Sequence, residues 1–191
     1  MPHRAAFAHA LIALAVALAT ALPAAAAERR EAGKHEHGAG ELRVAIDGGD
    51  VEVELEGPAA NFVGFEHAPR TAAEQRAIDA ALATLGAPAQ LFAWPAAAGC
   101  RPAGTEVTGP EYGADDDHDD HEAADHADEV HTEFSAVYAF RCTNPAALDG
   151  LRVLVFAKFP GTARLAAGVV GPAGQSGATL TPASPVLPLR P

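Results

Sequence analysis

The chain has 191 residues, with 13 Lys and Arg against 25 Asp and Glu and a formal net charge of −12. That length suits one domain with a hydrophobic core. The acidic balance excludes a nucleic-acid partner, which needs a basic face, and docking on an anionic membrane surface. Its 49% hydrophobic content excludes a chain disordered throughout.

Residues 1–27 have the make-up of a secretory signal peptide. His3 and Arg4 form a polar start and Ala5 to Leu22 an apolar run. Pro23 breaks it, and Ala25-Ala26-Ala27 supplies a small-residue cleavage site before Glu28. An uncleaved membrane anchor is the alternative. No later stretch is long enough to span a bilayer, so the expected product is exported and not inserted in the membrane after cleavage. Residues 28–40 are polar, carry His35 and His37, and are expected to form a mobile arm. A single globular domain over 41–191 is expected to follow.

From Glu41 the pattern alternates. Leu42, Val44 and Ile46 lie on one face, and after Gly48-Gly49 so do Val51, Val53 and Leu55. A two-residue Gly-Gly loop pairs Ile46 with Val51, Val44 with Val53 and Leu42 with Leu55. The same register sets Arg43 against Glu54 on the outer face, so burial and charge agree. Glu52, Glu54 and Glu56 form a carboxylate stripe of the kind an exposed strand face carries. Pro58 ends the second strand, and a loop over 61–69 holds Phe62, Phe65 and His67.

Thr71-Ala72-Ala73-Glu74 has the form of a capping box, and Ile78, Ala81, Leu82 and Leu85 follow at helical spacing. Gly86 and Pro88 stop that helix. Leu91 to Trp94 reads as a short strand. The stretch 111–131 is dense in Asp and Glu and has no Lys or Arg. It is expected to be a disordered loop. Order returns at Glu133, where Phe134, Ala136, Tyr138, Phe140 and Cys142 alternate with polar or small residues. A turn or short helix is expected over 145–151. Val153 to Phe156, apolar on both faces, suits a central strand. A hairpin over 164–181 and an extended Pro-rich tail complete the chain. The expected fold is α+β: antiparallel strands in one or two small sheets, one clear helix, the His/Asp-rich loop and one disulfide.

Cys100 and Cys142 are the cysteines of an exported chain and most simply form that disulfide, tying together the ordered ends of the acidic segment. A thiolate metal site is the alternative, although neither Cys has a ligand at close metal spacing. The acidic loop contributes His118, His121, His126 and His131. Imidazole beside carboxylate favours a borderline transition ion, with zinc the commonest. A solvated linker that binds nothing is the other reading.

His35 and His37 lie two residues apart and share a side if extended. His67 is a candidate ligand or a local hydrogen-bonding residue. His131 and Glu133 would share a strand face if the strand begins early. His121-Glu122-Ala123-Ala124-Asp125 lacks the second His of a zinc-protease motif. No nucleophile elbow or phosphate loop occurs, so the chain is expected not to be an enzyme.

An ordered set of segments resembles the ZrgA-type zinc-regulated periplasmic proteins. They are His35-Glu36-His37-Gly38, Val44 to Gly48, Pro58 to Asn61 and Gly64-Phe65-Glu66-His67. Further on come Cys100, the His/Asp loop, His131-Thr132-Glu133-Phe134, Tyr138 with Phe140 and Cys142, and Phe156 with Phe159-Pro160. The resemblance implies a periplasmic zinc-binding protein that assists zinc import or delivery as a metallochaperone, with a component of a zinc uptake system as partner. The expected metal ligands are His35, His37, His67, His131 and Glu133 in ordered sites. His118, His121 and His126 would form a weaker capture loop. A copper or nickel buffering protein, or an envelope interaction module without metal, are the alternatives.

Overall fold

The computed structural model describes residues 36–112 and 132–190. The signal-peptide segment, His35 and nearly all of the acidic loop therefore lie outside the described residues.

The Gly-Gly hairpin forms in the expected register. Strands β1 (Ala39–Asp47) and β2 (Asp50–Pro58) pair antiparallel, with Leu42 opposite Leu55, Val44 opposite Val53 and Ile46 opposite Val51. Gly48 at φ +57° supplies the left-handed turn that a side chain would resist. On the outer face Arg43 is held by Glu54 at 2.8 Å, Glu41 at 2.7 Å and Glu56 at 2.5 Å. Part of the carboxylate stripe is therefore spent on one guanidinium.

Helix α1 (Ala59–Val63) follows β2 directly, inside the stretch expected to begin a loop. Helix α2 (Ala72–Leu85) has the expected capping box: the Thr71 hydroxyl accepts from the Glu74 N–H while the Glu74 carboxylate accepts from the Thr71 N–H. Ile78, Ala81 and Leu85 are its buried face. Strand β3 (Phe92–Ala93) is short, as expected.

Strand β4 (Cys100–Thr108) is an element the sequence pattern hid. It is an edge strand with a bulge between Pro102 and Gly104 and an almost wholly exposed surface. Pro, which cannot donate to a ladder, is tolerated at such an edge. Strand β5 (Glu133–Cys142) alternates as expected and lies between β2 and β4.

Beyond it come β6 (Gly150–Val153), helix α3 (Val155–Lys158), β7 (Arg164–Gly171), β8 (Gly174–Leu180) and β9 (Val186–Pro188). The central strand expected over Val153 to Phe156 is corrected: the strand ends at Val153 and a helical turn replaces the rest. Val155 and Phe156 are both buried, and a short run buried on all sides has no periodicity to separate strand from helix. Among the described residues three α-helices stand where one was expected.

One sheet has six strands in the order β4-β5-β2-β1-β7-β8 and a second has three, β3-β6-β9. The expectation of small antiparallel sheets needs two corrections. The first sheet is larger, and β1 pairs parallel with β7, Leu42 opposite Ala167. A parallel neighbour needs a crossover, which here is everything between β1 and β7. The core fills the gap between the sheets, with Phe92 of β3 edge-on to Tyr138 of β5 at 5.1 Å. Burial of the Tyr138 hydroxyl pushes its pKa far above the ordinary phenol value.

The cysteines form the expected disulfide, Cys100 directly opposite Cys142. The bridge sits at one end of the β4–β5 ladder, and the acidic segment joins the other end, beyond Thr108 and Ser135. It therefore does not clasp the ends of that segment as expected. Replacing both cysteines by Ser should lower stability by up to about 4 kcal/mol, the loop-closure value for a span of 42 residues. Denaturant unfolding of the double variant beside the parent measures it.

Candidate metal centre

The end of the sheet opposite the disulfide gathers the start of β1, the end of β2, α1 and the start of β5. Asn61 of α1 organises it. Its side chain is 2% exposed. Its Oδ1 accepts from the Gly38 N–H at 2.6 Å and its Nδ2 donates to the Ala39 carbonyl at 2.7 Å. The Gly38 carbonyl accepts from the N–H groups of Ala163 and Arg164, at 2.7 and 2.9 Å. Gly38 has φ +83°, and a Cβ there would stand 3.2 Å from that of Ala163. Glu36 forms an ion pair with Arg164, and that guanidinium holds its carboxyl below the usual carboxylate range. The expected arm is thus structured from Glu36, and β1 begins two residues before the alternation does.

These contacts fix His37 in a turn. Its Nε2 lies 3.0 Å from Oε2 of Glu66. Glu66 is placed by the end of α1, where Gly64 at φ +87° turns the chain and its N–H donates to the Ala60 carbonyl. The imidazole is 70% exposed and the carboxylate 29%. The other oxygen of Glu66, Oε1, is buried and has no hydrogen-bond partner. The hydroxyl of Tyr112 is likewise buried and unpartnered. Burial first, and the charge of Glu66 second, push the Tyr112 pKa above its ordinary value.

His67 stacks on Phe65, ring centroids 5.0 Å apart. Its Nδ1 is 2.9 Å from the Ala68 carbonyl. A carbonyl only accepts, so Nδ1 carries the proton and a neutral ring presents Nε2 as the lone-pair donor to a metal. Glu133 opens β5 opposite Pro58, and the carbonyl of Thr132 before it accepts from the Ala59 N–H at 2.8 Å.

Of the expected ligands, the structure places His37, His67 and Glu133 around this end of the fold. Among the described residues His37 meets Glu66. Among the described residues no three His, Cys, Asp or Glu side chains are gathered closely enough to hold one ion. His35, His118, His121, His126 and His131 lie outside the described residues. The thiolate alternative is corrected, since both cysteines are in the disulfide. Sequence reasoning did not single out Glu66, Asn61 or Tyr112 as site residues. A carboxylate adjacent to a loop His was the available signal for Glu66; Asn61 and Tyr112 gave none without the fold.

Residues 34–189 match the family model described as ZrgA family zinc uptake protein. The chain belongs to that family. No curated protein gives a significant match.

The clamp predicts its own disruption. Asn61→Ala leaves the Gly38 N–H and the Ala39 carbonyl without their buried partner, at a cost of about 1–3 kcal/mol. Amide hydrogen exchange at Gly38 should accelerate strongly, while that of Val53 in the middle of the sheet follows only the loss of global stability.

Proposed function

We propose that the protein captures zinc in the periplasm and assists its import or delivery, acting without catalysis. The observation that carries this reading is the His37–Glu66 pair beside an unpartnered carboxylate oxygen, in a chain of the zinc uptake family. Two ligands about 2.0 Å from a tetrahedral zinc stand about 3.3 Å apart. The 3.0 Å between Nε2 and Oε2 needs only slight opening to become such an edge. Imidazole with carboxylate is a donor set zinc accepts and calcium or magnesium does not prefer.

Two donors are half a site. His35 is one residue from Glu36, which Arg164 holds, and His131 is bonded to Thr132, which Ala59 holds. By sequence adjacency to these residues, His35 and His131 are, with His67 and Glu133, the candidates to complete the coordination. His118, His121 and His126 would act as a weaker capture set in the segment between Tyr112 and Thr132. The partner would be a component of a zinc uptake system. Export would follow from the leader-like residues 1–27. Among the described residues no helix is long and apolar enough to cross a membrane.

Titration calorimetry tests the two tiers. Deleting Asp115 to Asp128 should lower the zinc stoichiometry and leave the fold, checked by circular dichroism, and one tighter site. His37→Ala and Glu66→Gln should each weaken that tighter site. A folded deletion protein with no zinc binding would overturn the two-tier reading. Competition with copper and nickel separates zinc delivery from buffering of those ions, and no binding at micromolar metal would favour a plain envelope module.

The pH dependence is a separate check. Imidazole ligands must be neutral, and free imidazole side chains protonate near pH 6.5, whereas carboxylates stay ionised to about pH 4. Zinc affinity should fall steeply as pH drops from about 7 to about 5.5. Flat affinity across that window, with strong calcium competition, would mean that the carboxylates carry the binding.

A further inference from the structure

Residues 165–189 contain no Asp, Glu, Lys, Arg or His, although 20% of the chain is Asp, Glu, Lys or Arg. They make up all of β7 but Arg164, all of β8 and β9, and the turn closed by Thr181 and Ser184. Among the described residues, the large hydrophobic side chains left exposed are Val170, at 60%, and Val186, and both fall in this run. Strand β8 closes the six-stranded sheet, and no described strand pairs with its outer side. It follows β7 in unbroken register from Gly174 to Leu180, with no bulge, no Pro and no charge. Gln175, Gly177 and Thr179 are exposed.

An edge strand carries a row of unpaired N–H and C=O groups, and proteins ordinarily blunt that row with Pro, charge or a bulge. The other edge of this sheet has all three: Arg101, Pro102 and Glu106 on β4, and the bulge between Pro102 and Gly104. One edge is defended and the other is open. We propose that β8 is a dimerisation edge: it pairs antiparallel with β8 of a second copy across a two-fold axis, joining the two six-stranded sheets edge to edge. The proposal is independent of the zinc reading.

Sequence and charge both favour self-pairing. A two-fold axis at Gly177 sets that residue against its own copy, where no side chain crowds the axis. Ser176 then meets Ala178 and Gln175 meets Thr179, twice each by symmetry. The Gln amide and the Thr hydroxyl are complementary hydrogen-bonding groups, and cross-strand pairs of that kind stabilise a sheet. Each copy carries a net charge of −12, which opposes approach through an acidic face. At this edge the acids are remote. The nearest strand of the sheet with carboxylates, β1, would lie five strand spacings from its copy. That is about 24 Å, well beyond a screening length of about 8 Å. Arg164, the charged residue of β7, is already paired with Glu36. The acidic stretch 111–131 leaves β4 and returns to β5 at the other edge, and it is poor in the residue types that favour strands. Pairing along one short strand makes a small interface, so the dimer should dissociate on dilution.

Sedimentation velocity of the mature chain tests this, with a chelator present so that metal cannot bridge two copies. Monomer should pass to dimer as concentration rises through the micromolar range. The double variant Gln175→Lys, Thr179→Lys sets lysines against lysines and should stay monomeric throughout. Both side chains are exposed, so its melting temperature at low concentration should equal the parent's. Gln175→Glu, Thr179→Glu should be monomeric likewise. An equimolar mixture of the two variants should recover the dimer, because opposite charges then face each other across the paired β8 strands. Thr105→Lys, on the β4 edge, should dimerise like the parent. A parent that remains monomeric across the range overturns the proposal and leaves the open edge to a strand of a different protein. A dimer that the β8 variants leave intact, a mixture that does not reassociate, or a dimer broken by Thr105→Lys overturns it as well.

Discussion

A carboxamide buried to 2% exposure cannot trade its partners for water, so it must keep them, and Asn61 keeps two from the backbone that leads into β1. The first residues of β1 serve two neighbours at once, β2 antiparallel and β7 parallel. They reach both only if the chain enters at the right height, and Asn61 sets that height. Small residues let the amide in. A Cβ at Gly57 would lie 3.4 Å from its Nδ2, and one at Gly161 would lie 2.7 Å from the backbone carbonyl oxygen of Asn61. His37 is the residue immediately before the clamped pair. Its position over Glu66 is a consequence of the same two hydrogen bonds that start the sheet.

The long central strand β5 separates two tasks. Its Cys142 end carries the disulfide and the packing of Trp94 on Phe140 at 5.0 Å. Its Glu133 end joins the candidate metal centre. Ten residues of extended strand set these about 30 Å apart. The covalent bond limits the unfolded chain and the hydrogen-bonded clamp shapes the site. Neither needs the other, because the start of β5 is held by its ladder with Pro58 and by the Thr132–Ala59 hydrogen bond.

Elements whose signal is local were legible in the sequence. The Gly-Gly hairpin, the Thr71–Glu74 capping box and the alternation of β5 each state their geometry within a dozen residues, and each forms as expected. Strand β4 was hidden because an exposed edge strand with Pro102, a bulge and no apolar face has no period to read. Helix α3 was hidden because its first residues, Val155 and Phe156, are buried and continue the apolar run of β6, which leaves no period to separate strand from helix. The parallel β1–β7 pair joins segments more than a hundred residues apart, and nothing in either strand announces its partner. The site divides in the same way. Histidines are conspicuous by type, and so His37, His67 and the loop histidines could be named. Asn61 and Glu66 matter only because the fold brings distant residues to them.

A protein that carries a metal as cargo has to release it, and the centre's exposure fits that requirement under the zinc reading. A closed site of four fully buried donors holds its ion by excluding competitors. Here the imidazole of His37 is largely in solvent while the carboxylate beside it is mostly covered. An incoming ligand can reach the metal from the side of His37 without disturbing Glu66, so exchange can proceed one donor at a time.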